Sequence, residues 1–182
     1  MRALLLALAL LLVLGFDRSE WQHWIDADGD CQSTRQEVLI EESLVEPELD
    51  ARGCKVLEGL WRDPYTGRLI SDPKLLDIDH LVPLREAWEA GGWAWDDAQR
   101  RAFANDLSHP EHLVATHRRN NRAKGAKAPQ DWMPPDAALR CTYLQWWWRT
   151  KVRWHLRLTP EEAYFIFRES GCEGLELAQG GE

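Results

Sequence analysis

The sequence has little from which several common architectures could be built. It contains four cysteines in 182 residues and no CxxC pair. A zinc site made of four thiolates, normally assembled from such close pairs, is therefore excluded. Its uninterrupted run of Ala, Leu and Val, from Ala3 to Leu14, is twelve residues, short of the roughly 20 that a membrane-spanning helix needs. There is no internal repeat, no long low-complexity linker and no break in composition, which argues against a solenoid and against a second domain. What is present, 45% hydrophobic residues over 182 positions, suffices for one domain with a real core.

Arg2 followed by that apolar run reads as a signal peptide over residues 1–16, with the small residue Gly15 near the cleavage point and an uncleaved anchor as the alternative. No cysteine follows directly, so lipidation there is not expected. Residues 17–182 are then a single domain that is secreted, extracellular or periplasmic, with no stable membrane association after cleavage. Export favours disulfides over free thiols. Of the three pairings open to Cys31, Cys54, Cys141 and Cys172, Cys31–Cys54 with Cys141–Cys172 is preferred because each pair brackets a separate segment. Four reduced core cysteines would instead fit a cytosolic chain.

The formal charge is −8, which argues against a polyanionic partner until its distribution is read. Between His117 and Pro160 stand ten Lys and Arg residues against Asp131 and Asp136, so this segment carries +8 and the remainder −16. Such polarity can draw a polyanion to one side of an acidic protein. A solvated helix face is the alternative.

Along the chain, Thr34 and Glu37 have capping-box spacing at the start of a helix that carries Val38, Leu39 and Leu44. The same region also reads as a calcium loop, with Asp26, Asp28, Asp30 and Glu37 at its first, third, fifth and twelfth positions. Cys31 stands at the sixth, where glycine is needed for the sharp turn. "GLWRDPYTGRLI" predicts a hairpin turning at Pro64–Gly67. A strand carrying "DIDH" follows, then short helices in "REAWEAGG" and "DDAQRRAFAND", the second with Asp96 and Asp97 in its first turn. His112–Thr116 is the next strand. Pro135 and Asp136 open a helix whose Leu139, Tyr143, Trp146, Trp147, Thr150 and Trp154 form one apolar stripe. Trp148 lies beside it, either packed or exposed enough to stack on a base. Thr159 caps a last helix, with Pro160 at its first position and Glu162 completing a capping box.

Asp77, Asp79 and His80 sit in an otherwise aliphatic strand. Alternation puts Asp77 and Asp79 on one face and Leu76 and Ile78 on the other. Two carboxylates placed together repel unless something positive lies beside them, and a hard divalent cation would satisfy them. An imidazole such as His80, with an ordinary pKa near 6.5, suits a general base at neutral pH.

"DIDHLVPL", then "HLVAT", then "NNRAKGAK" resemble the HNH endonucleases, whose ββα-metal site is two strands and a helix around one divalent ion. "WIDADGDC", "PYTG", "FAND" and "PQDWMPP" extend the similarity to the secreted bacterial branch related to the nuclease domain of GmrSD-type restriction enzymes. The resemblance implies an α+β fold: a ββα-metal core over about residues 75–128, a helical insertion between Leu84 and Asp106, and additional C-terminal helices. It implies that Asp79 and Asn121 ligate Mg2+ or Mn2+, with Asn120 as the alternative to Asn121, and that His80 deprotonates the attacking water. Asp77 would support the site. His112 stands where many relatives have an asparagine that orients the catalytic imidazole, and Ala126 where relatives often carry an aspartate.

Arg118, Arg119, Arg122, Lys124 and Lys127 are placed to contact backbone phosphates of DNA or RNA, largely blind to base sequence. Strict alternation sends Asp79 and His80 to opposite faces, so this mechanism requires a bend or twist near Pro83. The implied activity is metal-dependent hydrolysis of DNA phosphodiesters with little sequence specificity, leaving 5′-phosphates. Two other classes compete with it: a catalytically silent extracellular DNA-binding or cell-surface module, and a zinc site built from His80, His109, His112 and His117.

Overall fold

A computed structural model describes residues 15–172, so all but the end of the expected signal segment lies outside the described residues. The fold is α+β. Among the described residues, three two-stranded antiparallel sheets pair β1 (Glu48–Leu49) with β2 (Val56–Glu58), β3 (Trp61–Arg62) with β4 (Leu69–Ile70), and β5 (Leu76–His80) with β6 (Leu113–His117). The helices are α1 (Thr34–Glu41), α2 (Leu84–Glu89), α3 (Asp97–Ala104), α4 (Arg118–Lys124), α5 (Arg140–Arg153) and α6 (Pro160–Tyr164). Among the described residues, no helix is long and apolar enough to cross a membrane.

The β5–β6 pair divides the molecule. In its register Asp77 opposes Thr116, Ile78 opposes Ala115 and Asp79 opposes Val114. Leu76, Ile78, Leu113 and Ala115 therefore share one face, where they bury against Val38 and Leu39 of α1 and against Trp61. Trp61 is fully buried and donates its indole N–H to the Leu39 carbonyl at 2.8 Å. Burying each Leu, Ile or Val side chain here contributes about 1.5–3 kcal/mol. The other face carries the two aspartates and receives α4, which follows β6 without a loop and ends where Gly125, at φ 57°, donates its N–H to the Asn121 carbonyl.

A second core joins Trp21, Leu81, Phe103, Tyr143, Trp147 and Ile166 beneath α3 and α5. Lys151 of α5 is fully buried inside it, its ammonium 2.7 Å from both Glu86 and Glu162. That triad ties α2, α5 and α6 together, and Glu162 also accepts from the Trp147 indole. α3 is capped by Asp96 in a capping box with Gln99, and α6 by Thr159 with Glu162. The last helix then widens into a π turn over Phe165–Glu169. Disulfides join Cys31 to Cys54 and Cys141 to Cys172.

Three boundaries differ from expectation. Ser33, not Thr34, precedes α1, and no capping box forms there. The Thr34 hydroxyl is instead spent on the Ile25 carbonyl and the Asn105 side chain, 3.0 and 2.8 Å away. α5 begins at Arg140 because Asp136 caps a separate 3-10 turn, Ala137–Leu139. β6 starts at Leu113, since the ring of His112 turns into the core. The anticipated bend near Pro83 does not precede His80: pairing runs in register to His80↔Leu113, and Leu81 N–H still bonds the His112 carbonyl at 3.0 Å.

Candidate functional site

Because β5 keeps its alternation through His80, the residues singled out from the sequence divide into two groups. On the α4 face lies an acidic group. Asp79 is 5% exposed. Its carboxylate accepts from Lys124 Nζ at 3.0 Å (Oδ1) and 2.9 Å (Oδ2) and from the Tyr65 hydroxyl at 2.6 Å. Lys124 also donates to the His80 carbonyl at 2.9 Å. Burial pushes the Asp79 pKa up, against the downward pull of Lys124 and Tyr65. Burial likewise lowers that of Lys124, against the pull of Asp79. Beside them the Asn121 amide donates to Asp77 Oδ2 at 3.2 Å.

This arrangement bears on the implied metal. A hard divalent ion needs free oxygen donors, and both Asp79 oxygens are already held by an ammonium and a phenol. Asn121 faces Asp77 rather than Asp79. As placed, Asp79 and Asn121 do not fit a shared ion, because the positive charge that two nearby aspartates require is supplied by Lys124. The same contact corrects the assignment of Lys124 as a phosphate-binding surface residue: it is fully buried.

On the opposite side lies an imidazole group. His80 is 5% exposed and its Nε2 lies 2.9 Å from the Ala104 carbonyl at the end of α3. A carbonyl can only accept, so Nε2 carries the proton and Nδ1 keeps its lone pair. Nδ1 has no partner among the described residues and, unlike Nδ1 of His112, is not sealed from solvent. Burial holds the His80 pKa well below 6.5, opposed by the bond to Ala104, with smaller downward effects from His112, Arg18 and His23. The ring is therefore neutral near pH 7. Trp24 lies against it, ring centroids 5.4 Å apart, and His23 at 6.4 Å.

His112 does not orient His80 directly. Its Nε2 donates to the Phe103 carbonyl at 2.7 Å, and burial lowers its pKa to about 4. The backbone that fixes His80 is that of Ala104, within the "FAND" stretch. The histidine-zinc reading is corrected as well: among the described residues, His80, His109, His112 and His117 form no cluster, and the sole group of three such ligand side chains is Asp26, Asp28 and Asp30.

Those three aspartates are exposed, with ligand atoms within 4.8 Å of one another. Asp26 accepts from the amides of Gly29 and Cys31, and Asp30 from that of Gln32. Cys31, at φ 74°, adopts the turn conformation for which glycine is the usual choice. Glu37 sits close enough that, after burial, the three aspartates raise its pKa.

Arg118, Arg119, Arg122 and Lys127 are exposed around α4. Trp148 is not an open stacking platform: it is half-buried, edge-on to Phe167 at 5.4 Å.

Several residues that shape these groups were not singled out from the sequence. Asp63, fully buried, accepts from the Tyr65 and His117 amides, from Thr116 and from Asn120, and so fixes the start of α4. Its place in the "RDPYTG" turn was the available signal. Tyr65 lies in the same turn, within "PYTG", and Arg18 carries no local pattern.

The profile of the family described as GmrSD restriction endonucleases, C-terminal domain, matches residues 34–167. A protein of Arthroderma benhamiae described as an uncharacterized secreted protein is 38% identical over 148 residues, covering 81% of this chain and 71% of its own length. No solved structure matches the chain.

Proposed function

We propose, because the chain belongs to the family of GmrSD restriction endonuclease C-terminal domains, that it is a secreted HNH-type nuclease hydrolysing phosphodiester bonds of DNA with His80 as general base. Secretion is supported by the apolar leader, the two disulfides and the description of the fungal relative. The observation that carries the chemistry is the state of His80. Its Nε2 proton is committed to the Ala104 carbonyl at 2.9 Å, which leaves Nδ1 as an oriented, unprotonated acceptor.

A water hydrogen-bonded to Nδ1 would give it a proton as the water oxygen attacks phosphorus; the bond from phosphorus to the 3′ sugar oxygen breaks, that oxygen takes a proton from solvent, and the phosphate stays on the 5′ side. Positioned base catalysis of this kind contributes about 10²- to 10⁴-fold. A buried, depressed imidazole is a weak base on its own. The approaching phosphodiester supplies a negative charge that favours the imidazolium and raises its pKa toward the working range. No step is routed through a metal ion, since Lys124 and Tyr65 hold the Asp79 oxygens.

The test is cleavage of plasmid DNA and single-stranded RNA by the wild type and by His80→Ala, with Mg2+, with Mn2+ and with chelator. The expected result is DNA cleavage that falls at least about 100-fold in the variant. Equal rates, or binding without any cleavage under every condition, would overturn the reading.

A further inference from the structure

We infer that the segment Asp17–Trp24 forms a phosphate-binding wall beside His80, with Arg18 as the residue that holds a backbone phosphate of the nucleic-acid strand. The inference rests on the reading of His80 as the base. The segment precedes residue 34, where the family match begins.

The segment is fixed rather than loosely attached. Trp21 is 1% exposed and packs edge-on against Phe103 at 5.8 Å. From that anchor the chain passes His23 and Trp24 over the His80 ring. His23 Nδ1 lies 2.7 Å from the Trp21 carbonyl, so it carries the proton and leaves Nε2 as an acceptor. The Arg18 guanidinium lies 3.4 Å from that Nε2. Arg18 thus meets an imidazole nitrogen rather than a carboxylate. Its neighbours are engaged elsewhere: Asp17 accepts from Ser19, and Glu20 lies 3.9 Å from Arg100. Among the described residues no carboxylate comes within ion-pairing distance of Arg18.

Trp24 holds the other side. It adopts φ 60°, a left-handed conformation that L side chains of this bulk rarely take, and its indole lies 5.4 Å from the His80 ring at a 33° tilt. Strain held next to a group with a chemical task is a recurrent feature of functional sites. An exposed guanidinium without a carboxylate partner, aimed by one imidazole and set beside another that has a free lone pair, is matched to a phosphodiester: the fork geometry of Arg takes two phosphate oxygens while the ester lies against the base.

The experiment measures binding of fluorescein-labelled single-stranded DNA, duplex DNA and RNA at several salt concentrations, in a His80→Asn background to suppress cutting, alongside cleavage kinetics in the active chain. Arg18→Ala is expected to weaken binding about 5- to 10-fold and to reduce the slope of log affinity against log salt by about 0.7–0.9, the loss of one phosphate contact. In the active chain it raises KM more than it lowers kcat, while Arg18→Lys restores the slope but only part of the affinity. Arg85→Ala, a surface control whose guanidinium pairs with Glu89, leaves the slope unchanged. Wild-type affinity and slope in Arg18→Ala overturn the inference even if His80→Ala abolishes cleavage. Undiminished cleavage by His80→Ala, with the slope still lost in Arg18→Ala, overturns the base reading and leaves the phosphate site standing.

Discussion

His80 and His112 donate through Nε2 to adjacent carbonyls, those of Ala104 and Phe103, at 2.9 and 2.7 Å. Carbonyls in the last turn of a helix have no partner within it, so the end of α3 serves as a fixed acceptor for both rings. The helix between the two paired strands therefore holds the imidazoles rather than merely connecting β5 to β6.

Both rings are buried and neutral in the folded chain but free to protonate once unfolded. The His112 pKa falls from 6.5 to about 4 on folding. A base with a depressed pKa contributes stability that is fully present above its unfolded value and lost as pH falls from about 6.5 through about 4. His80 acts in the same direction. Urea midpoints should therefore drop progressively across that interval. His112→Gln, which keeps a donor for the Phe103 carbonyl, should flatten part of the drop and leave the share due to His80.

Lys124 and Asp79 form a buried pair with each side chain nearly inaccessible. Removing one partner of such a pair leaves an uncompensated charge and costs about 3–5 kcal/mol. Lys124→Met should lower the unfolding free energy by that order. The double variant Lys124→Met/Asp79→Asn should recover much of the loss, because the remaining groups are neutral and Tyr65 can still hydrogen-bond the amide. If Lys124→Met left stability unchanged and weakened nucleic-acid binding instead, Lys124 would be a surface phosphate contact after all.

Local patterns in the sequence reach as far as the β5–β6 pair, the hairpin at Pro64–Gly67 and the capping box of α6, because alternation, turn residues and caps act over a few positions. What they do not reveal is which side chains meet across the fold. The alternation of Asp77, Asp79 and His80 foretells their separation onto two faces, yet nothing nearby in sequence shows that Lys124, 45 residues on, supplies the positive charge. Tyr65 and Asp63 read only as turn residues, and the tertiary contacts that give them their roles come from β5 and α4. Thr34 shows the converse: its capping signal is overridden by bonds to Ile25 and Asn105, the latter 71 positions away.

The disulfides should matter separately. Cys31–Cys54 and Cys141–Cys172 close segments of 23 and 31 residues, for which restriction of the unfolded chain contributes about 3–4 kcal/mol each. Cys31→Ala/Cys54→Ala should destabilise the chain by that order and loosen the Asp26–Asp30 loop and the β1–β2 hairpin. Cys141→Ala/Cys172→Ala should act on the junction of α5 with the last helix. Hydrogen exchange on the two variants should therefore show increased exchange in different segments, and a common pattern would mean that the bridges do not act locally.

Arg118, Arg119, Arg122 and Lys127 project from or just beyond α4 while its Lys124 is withdrawn. Within a chain of net charge −8 they form part of the +8 stretch between His117 and Pro160, and their proposed role is contact with backbone phosphates. Each such contact removed should lower the dependence of log affinity on log salt by about 0.9 for duplex DNA. Arg118→Ala/Arg122→Ala should then reduce the slope by about 1.8, equally for sequences of different composition, since phosphate contacts do not read bases. Fluorescence anisotropy from about 50 to 200 mM salt covers the range over which this loss is large. A slope that stays constant while affinity falls for one base composition alone would place these residues in base recognition instead.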